Sequence, residues 1–351
     1  QHEVEIFSGK EHEAAESAHN WQCCEKNPGH EKFVSVQDFL NLCLPRLQSE
    51  EKRMVLESFI HLTVRLRMHC TSFDRPDDDE VAEYRGTPML RSGTGCIRNV
   101  EELDPEYRQP CFCDKCNGDV PGRQWEFYVQ TARHVVFNEE EAKRTKVDLF
   151  YDDERSLQDG RMKSVWGIGV STKEESLDLR DIYCFTCDED VGEFLELADL
   201  WWSDDDDDVE PHDLSDLGLL PPSAADSDLA LVVSHPHGQP KKITLGELRY
   251  LDEKKSLAEY NTPTCPGSSG AKVFAYDFER NPGGLCCTTW VSSVHSGSYG
   301  TTSIAQKHPP NLLKRFVNNF RGCRPKNKIE QVKKLRRSKS TLEQLNYGFQ
   351  W

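Results

Sequence analysis

Thr262-Pro-Thr-Cys-Pro-Gly-Ser-Ser-Gly-Ala-Lys-Val-Phe274 combines a turn of small residues with the start of an apolar segment. Its small-residue turn, Gly267 to Ala271, runs directly into an apolar, β-prone segment, Lys272 to Tyr276, which predicts a sharp turn before a strand. Such a turn can hold the Ser269 hydroxyl clear of the backbone while successive N–H groups converge on one point, as an oxyanion hole requires. A Gly-x-Ser-Gly turn is common in loops, so this interpretation depends on a general base and a carboxylate elsewhere.

Two further segments supply those groups. Val129-Gln-Thr-Ala-Arg-His-Val-Val136 predicts a strand that carries His134 within an apolar run. Asp226-Ser-Asp-Leu-Ala-Leu-Val-Val233 places Asp228 immediately before a second apolar strand, with Asp226 as the other choice of carboxylate. The chain order is therefore histidine, aspartate, serine.

The motifs Thr-Ala-x-His-Val, Asp-Leu-Ala-Leu-Val and Gly-x-Ser-Gly resemble the three signatures of chymotrypsin-fold (trypsin-like) serine peptidases over residues 85–322. The resemblance implies a mainly β fold of two six-stranded antiparallel barrels and a serine endopeptidase that cleaves peptide or protein substrates without a required cofactor. It implies that Ser269 attacks, His134 transfers the proton and Asp228 orients the imidazole, while the N–H groups of Gly267 and Ser269 bind the oxyanion. A weak or inactive pseudoprotease that serves as a protein-interaction module remains the alternative.

The sequence departs from the zymogen-activated members of this family. No Ile-Val-Gly-Gly activation sequence precedes Pro88-Met-Leu-Arg-Ser-Gly-Thr-Gly-Cys-Ile97, where we expect the barrel to begin. Ser268 replaces the aspartate that pairs with a freed N-terminus in those members. We therefore predict that the oxyanion hole forms without N-terminal cleavage.

The primary specificity pocket also differs from that of trypsins. Pro263 stands where trypsin-type members have an aspartate, while Thr264 and His295 can each donate a hydrogen bond into the pocket. This pairing resembles glutamate-specific endopeptidases and glutamine-specific viral relatives, and implies Glu or Gln before the scissile bond. A protonated His295 would favour Glu and a neutral one Gln. The other interpretation is a satisfied core histidine and a turn threonine.

The chain contains 14 cysteines, and their placement fits secreted family members poorly. Val135 stands where those members usually have a cysteine, and several cysteines are adjacent, so reduced thiols and an intracellular location are slightly favoured over secretion. The segments Cys111–Cys116 and Cys184–Cys187 could together hold a structural zinc ion. The candidate ligands are Cys113, Cys116, Cys184 and Cys187. Ordinary loop thiols or a local disulfide are the alternative.

Residues 1–84 predict a helical region that ends in an acidic linker. Ser35 can cap a helix that ends at Leu44, and Ser49 can cap a second helix that continues through Met68. This pattern indicates either a helical hairpin docked on the peptidase or a partner, or an extension packed on the barrel. Residues 187–225 predict an insertion, and a closing helix is expected from Pro309.

The net charge of −17 on 351 residues argues against nucleic-acid binding by the body of the protein. The C-terminal tail, residues 323–351, differs because basic residues crowd the segment from Arg321 to Lys339. This segment predicts an anionic partner, nucleic acid or acidic lipid, or else a tail that contacts the acidic body. No stretch has the apolar length that a membrane-spanning helix needs.

Overall fold

The computed structural model describes residues 1–43, 50–171, 178–202, 229–252, 257–276, 291–299 and 302–306. Four predicted features therefore lie outside the described residues: the carboxylates Asp228 and Asp226, the cap at Ser49, the closing helix and the basic tail. Every helix in the described part of the chain is too short or too polar to span a bilayer.

The chain begins with short strands and helices that precede the barrels. They are β1 (Glu5–Ile6), α1 (Glu13–Gln22), β2 (Val34–Ser35), α2 (Val36–Cys43) and α3 (Glu50–Leu62). The predicted cap of α2 is confirmed, because the Ser35 hydroxyl accepts a hydrogen bond from the backbone N–H of Asp38 at 3.1 Å.

The first barrel contains six antiparallel strands. They are β3 (Thr63–Met68), β4 (Arg91–Glu102), β5 (Trp125–Thr131), β6 (Thr145–Leu149), β7 (Lys163–Val170) and β8 (Arg180–Thr186), with the five-residue helix α4 (Glu139–Lys143) between β5 and β6. The strand order is β4-β3-β6-β7-β8-β5, and the pairing of β4 with β5 closes the barrel.

The expectation of a helix through Met68 is wrong, because the chain leaves α3 at Leu62 and enters β3 directly. The residues of β3 alternate between apolar side chains in the core and arginines on the other face. Arg65 and Arg67 both donate to the buried carboxylate of Asp148 on β6, at 2.9 and 2.7 Å. These charge-assisted hydrogen bonds stabilise β3 in the barrel. Since β3 is its first strand, the barrel begins at Thr63 and not at Pro88 as expected.

The second barrel is built from β9 (Leu229–Ser234), β10 (Lys242–Asp252), β11 (Leu257–Tyr260), β12 (Lys272–Tyr276), β13 (Val291–Tyr299) and β14 (Thr302–Gln306). The order is β10-β9-β12-β13-β14-β11, closed by β11 against β10. The predicted architecture of two six-stranded antiparallel barrels is thereby confirmed.

The N-terminal segment packs on both barrels, as the second interpretation of residues 1–84 expected. β1 extends the first sheet beside β4, and β2 extends the second beside β10. Phe39 of α2 and Phe59 of α3 enter the main apolar core. The predicted insertion begins with a helix, α5 (Glu189–Trp202), which packs against α3 and β4.

Candidate active site

His134 lies in the turn that follows β5, where the first barrel faces the second. Its Nδ1 lies 2.7 Å from Oδ2 of Asp178, and its backbone N–H donates to Oδ1 of the same carboxylate at 3.0 Å. Asp178 lies two residues before β8 of the same barrel. In the described structure Asp178 therefore holds the position that the sequence analysis gave to Asp228, which lies outside the described residues.

The Asp178 carboxylate is held in its charged form. Burial alone would raise its pKa, but the His134 imidazole and a hydrogen bond from the Ser296 hydroxyl outweigh that effect and lower the pKa to about 2. Asp178 therefore stays ionised at neutral pH and accepts a hydrogen bond from Nδ1–H of His134, which leaves Nε2 as the basic nitrogen.

A buried ion cluster fixes the backbone on either side of His134. Arg75 donates to the His134 carbonyl at 3.0 Å, and Arg91 donates to the Val135 carbonyl at 3.2 Å. Both arginines also bind the carboxylate of Glu141, at 2.7 and 3.0 Å. Burial would raise the pKa of Glu141, but the two guanidinium groups lower it to about 2. The turn that carries His134 is thus anchored to a charged carboxylate.

Ser269 lies in a turn between β11 and β12 that positive φ angles make possible. Gly267 has a φ of 93° and Gly270 a φ of 87°, a region in which side chains are strained. A Cβ at Gly267 would lie 2.4 Å from the His235 carbonyl, so only glycine fits there. The backbone N–H groups of Gly267 and Ser269 point at a single acceptor, the carbonyl oxygen of Glu3, at 2.7 and 3.2 Å.

That acceptor belongs to the N-terminal segment, which lies extended through the cleft. Gln1 pairs with Ser298 of β13 by two backbone hydrogen bonds of 3.1 Å, as in an antiparallel sheet. The ring of His2 stacks on the ring of His134, with centroids 3.7 Å apart. Beyond Glu3, β1 pairs with β4. Residues 1–6 therefore occupy both sides of the site as a peptide substrate would.

The Glu3 side chain enters a buried polar pocket beside Ser269. One carboxylate oxygen lies 2.8 Å from Nε2 of His295, and the other accepts from the Ser298 hydroxyl at 2.6 Å. The Lys26 ammonium forms an ion pair with that second oxygen. Thr264 also lines the pocket, and its hydroxyl lies 3.3 Å from the Lys26 ammonium. The pocket therefore contains both predicted residues, Thr264 and His295. It also contains Lys26 and Ser298, which the sequence did not indicate.

The charge state of His295 differs from the one that would favour Glu. Burial and the neighbouring Lys26 ammonium lower the pKa of His295 to about 3. The ring is then neutral at physiological pH, with Nε2–H donating to Glu3 and Nδ1 accepting from the Tyr260 hydroxyl at 2.5 Å. The positive charge that faces the Glu3 carboxylate comes from Lys26. Because His295 does not titrate near pH 6.5, we expect no change in the preference between Glu and Gln at that pH.

Ser269 and His134 are brought to the same site without a direct hydrogen bond. The Ser269 hydroxyl oxygen accepts from the Glu3 backbone N–H at 2.8 Å and lies 3.5 Å from the Ser296 carbonyl. Among the described residues, Nε2 of His134 has no hydrogen-bond partner. Rotation of the Ser269 hydroxyl toward Nε2 of His134 would allow its proton to be transferred to that nitrogen.

Four thiols converge at the outer end of the first barrel. Cys111, Cys113 and Cys116 each place Sγ within 3.4–3.5 Å of Sγ of Cys187. Three of the four predicted metal ligands belong to this group, but Cys184 does not. Cys184 is fully buried in the core because β8 alternates inward and outward, so Cys111 takes its place.

The missed residues had sequence signals of different strength. Asp178 begins Asp178-Leu-Arg-Asp-Ile182, an Asp-Leu pair before a strand, like the Asp-Leu pair at Asp228. The prediction weighed only Asp228 and Asp226 as the carboxylate, so the Asp-Leu pair at Asp178 was missed. Lys26 had no comparable signal, since it reaches the pocket from a loop far away in the chain.

No family model matches the sequence, and no curated protein matches it. Among solved structures, the inactive form of the Rv3671c protease is similar at 12% identity and a TM-score of 0.33, covering 76% of this chain and 93% of that one. A thermostable serine protease, AL20, from an extremophilic microorganism is similar at 9% identity and a TM-score of 0.37, covering 76% of this chain and 100% of that one.

Proposed function

We propose that the protein is a serine endopeptidase that cleaves peptide bonds on the carboxyl side of glutamate. One observation carries this proposal: a glutamate of the chain itself is bound as a substrate residue would be. The Glu3 carbonyl accepts from the N–H groups of Gly267 and Ser269, and its carboxylate occupies the adjoining pocket. The base and its carboxylate, His134 and Asp178, lie beside it.

The reaction follows from the positions of these groups. Ser269 Oγ rotates from the substrate N–H to Nε2 of His134, gives it the hydroxyl proton and forms a bond to the carbonyl carbon. The two N–H donors stabilise the oxyanion, and loss of one such donor costs about 10²–10³ in rate. His134 then passes the proton to the leaving amine as the C–N bond breaks. Water, activated by the same nitrogen, hydrolyses the acyl-enzyme.

The preference for glutamate over glutamine follows from charge. A glutamine side chain could accept from the His295 and Ser298 donors, but it could not form the ion pair with Lys26. Hydrogen bonds to charged groups contribute about 1.5–3 kcal/mol. An apolar side chain would leave all the buried donors of the pocket unpaired, which costs more. Glu is therefore preferred over Gln, and Gln over Leu.

A structural zinc ion at Cys111, Cys113, Cys116 and Cys187 is part of the proposal. Four thiolates around zinc at about 2.3 Å lie about 3.8 Å from one another. The observed separations of 3.4–3.5 Å approach that value and far exceed a disulfide bond of about 2.05 Å. Zinc would tie the loop after β4 to the end of β8, away from the cleft.

The basic segment from Arg321 to Lys339 keeps its proposed role in anion binding. Its support is the sequence alone: a dense run of Lys and Arg on an otherwise acidic chain. Retention on heparin should fall steeply with salt, because phosphate-like contacts release counterions. A chain without this segment that is retained equally well would refute the role.

A peptide panel with an active-site probe tests the enzymatic proposal. We expect a fluorophosphonate to label Ser269, and peptides with Glu before the scissile bond to be cleaved fastest. His134→Ala should abolish both. A folded protein that neither reacts nor cleaves would refute the enzymatic proposal and favour the pseudoprotease alternative.

A further inference from the structure

Beside the specificity pocket, two cysteines and two histidines from distant parts of the chain meet. Cys24 and His30 come from the loop after α1, Cys265 from the serine loop and His237 from the turn after β9. Their ligand atoms all lie within 4.8 Å of one another. Sγ of Cys24 is 3.6 Å from Sγ of Cys265, which in turn is 3.4 Å from Nε2 of His30.

We propose that these four residues bind a zinc ion that fastens the N-terminal loop to the serine loop. Zinc bonds of about 2.3 Å to sulfur and 2.0–2.1 Å to nitrogen place tetrahedral ligands about 3.3–3.8 Å apart, close to these two separations. Neither cysteine is in a disulfide. A Cys₂His₂ set is a common ligand set of structural zinc.

The surroundings of the four ligands are those of a metal site. Nδ1 of His237 is bonded to the Glu5 carboxylate at 2.6 Å, which directs Nε2 toward the cluster. That Nε2 is buried and has no hydrogen-bond partner among the described residues. Asn27 donates to the sulfur of Cys265 at 3.1 Å from its amide group, and its backbone N–H points at the sulfur of Cys24 at 3.5 Å. Such N–H donors stabilise thiolates.

The site has a consequence for specificity because Lys26 lies between its ligands. The loop from Cys24 to His30 carries the Lys26 ammonium into the glutamate pocket. The other end of the site, Cys265, is four residues before Ser269. A zinc ion here would hold the pocket charge and the nucleophile loop in fixed relation. Its removal should weaken the preference for Glu and lower the thermal stability.

Zinc content distinguishes this site from the four-cysteine site. Purified wild-type protein should contain two zinc ions per chain, Cys24→Ser one, and Cys113→Ser one. Cys23→Ser is the matched control, because Cys23 is adjacent but exposed and outside the cluster, and it should keep two. Equal zinc content in wild type and Cys24→Ser, or a Cys24–Cys265 disulfide found by mass spectrometry, would overturn the proposal.

A second measurement does not depend on how well Cys24→Ser folds. In the Cys113→Ser protein, cobalt exchanged for zinc should give the visible absorption of a tetrahedral site with two sulfur and two nitrogen ligands. A cobalt spectrum without thiolate charge-transfer bands would also overturn it.

A different observation supports a second inference, which rests on the proposed peptidase function. The N-terminal segment contacts both barrels as it crosses the cleft. Gln1 pairs with Ser298 of β13, the Glu3 carbonyl accepts from the N–H groups of Gly267 and Ser269, and Ile6 pairs with Arg91 of β4. The cleft on both sides of the bond between Glu3 and Val4 is therefore occupied by the protein's own residues 1–6. A Cβ at Gly297 would lie 2.4 Å from the Gln1 carbonyl, so glycine leaves room for this strand.

We infer that the protein cleaves its own Glu3–Val4 bond intramolecularly. Ser269 Oγ would bond to the Glu3 carbonyl carbon, and the proton carried by His134 would go to the amine of Val4 as the C–N bond breaks. One water then releases Glu3 as a carboxylate. The new N-terminal strand stays paired with β4, while the residues up to Glu3 leave and open the cleft to other substrates.

Intact mass and N-terminal sequencing test this inference on the 351-residue chain with an N-terminal affinity tag. Wild type should begin at Val4, Ser269→Ala should keep the tag, and Glu3→Gln should be processed more than tenfold more slowly. Glu11→Gln, an exposed glutamate in the same segment, should be processed normally. An inert Ser269→Ala chain mixed with wild type should stay intact, and its cleavage at the wild-type rate would refute an intramolecular reaction.

The same preparation distinguishes failure of self-cleavage from failure of the proposed peptidase function. A wild-type protein that hydrolyses an added glutamyl peptide but keeps its tag refutes self-cleavage and leaves the proposed function standing. A protein that does neither refutes both.

Discussion

Lys26→Met is the substitution that most clearly tests where the glutamate preference comes from. It removes one ammonium and keeps most of the length and volume of the side chain. In the structure that ammonium forms an ion pair with the Glu3 carboxylate and lies 2.7 Å from the Ser298 hydroxyl. The His295 and Ser298 donors remain, so a glutamine substrate should be affected little.

The magnitude follows from the ion pair. A charge-assisted hydrogen bond contributes about 1.5–3 kcal/mol, and each 1.4 kcal/mol is tenfold in rate. Lys26 is 33% exposed, so solvent screening favours the lower half of that range. We therefore expect kcat/KM for a Glu peptide to fall about 10- to 30-fold, and the Glu-to-Gln ratio to fall by the same factor.

The assay compares two peptides that differ only in Glu or Gln before the scissile bond, at pH 7. Lys32→Met is the matched control, because Lys32 is an exposed lysine nearby in the sequence, and it should leave the ratio unchanged. An unchanged ratio in Lys26→Met would refute the assignment of the pocket charge to this lysine.

Two further predictions concern stability. Glu141→Gln leaves two buried arginines without their carboxylate, so the free energy of unfolding in urea should fall by about 3–5 kcal/mol; a loss below 1 kcal/mol would contradict a paired cluster. Burial lowers the pKa of His61 to about 4, so the unfolded state, with a pKa of about 6.5, binds the proton first. The protein is thus destabilised as the pH falls from about 6.5 toward 4, and His61→Asn should lose about 2 kcal/mol less than wild type between pH 7 and pH 4.5. Equal losses in the two proteins would refute that contribution.

The barrels could be predicted because their strands show the alternation of apolar residues and the turn residues that sheets require. The serine turn was the clearest case, since its glycines and the strand from Lys272 to Tyr276 are adjacent in sequence. The strand at Thr63–Met68 was missed because a preceding helix shares its apolar spacing, and its arginines gain their partner, Asp148, only in three dimensions.

The parts of the site that sequence could not supply are long-range contacts. Lys26 reaches the pocket only because α1 packs beside the turn after β9, and Cys111 replaces Cys184 because the alternation of β8 turns Cys184 into the core. The occupation of the cleft by residues 1–6 depends on pairing with strands from both barrels. Neither local propensity nor residue spacing records such contacts.

Asp178, His134 and Ser269 should act as one catalytic unit, which a fluorophosphonate reaction followed by peptide mapping can measure. The rate of labelling at Ser269 should fall about 10⁴-fold in Asp178→Asn, because the imidazole loses its tautomer and orientation. Asp228→Asn, the matched control on the other Asp-Leu motif, should label at the wild-type rate. Labelling of Asp178→Asn at the wild-type rate would show that Asp178 does not orient His134, and loss of labelling in Asp228→Asn would assign that role to Asp228.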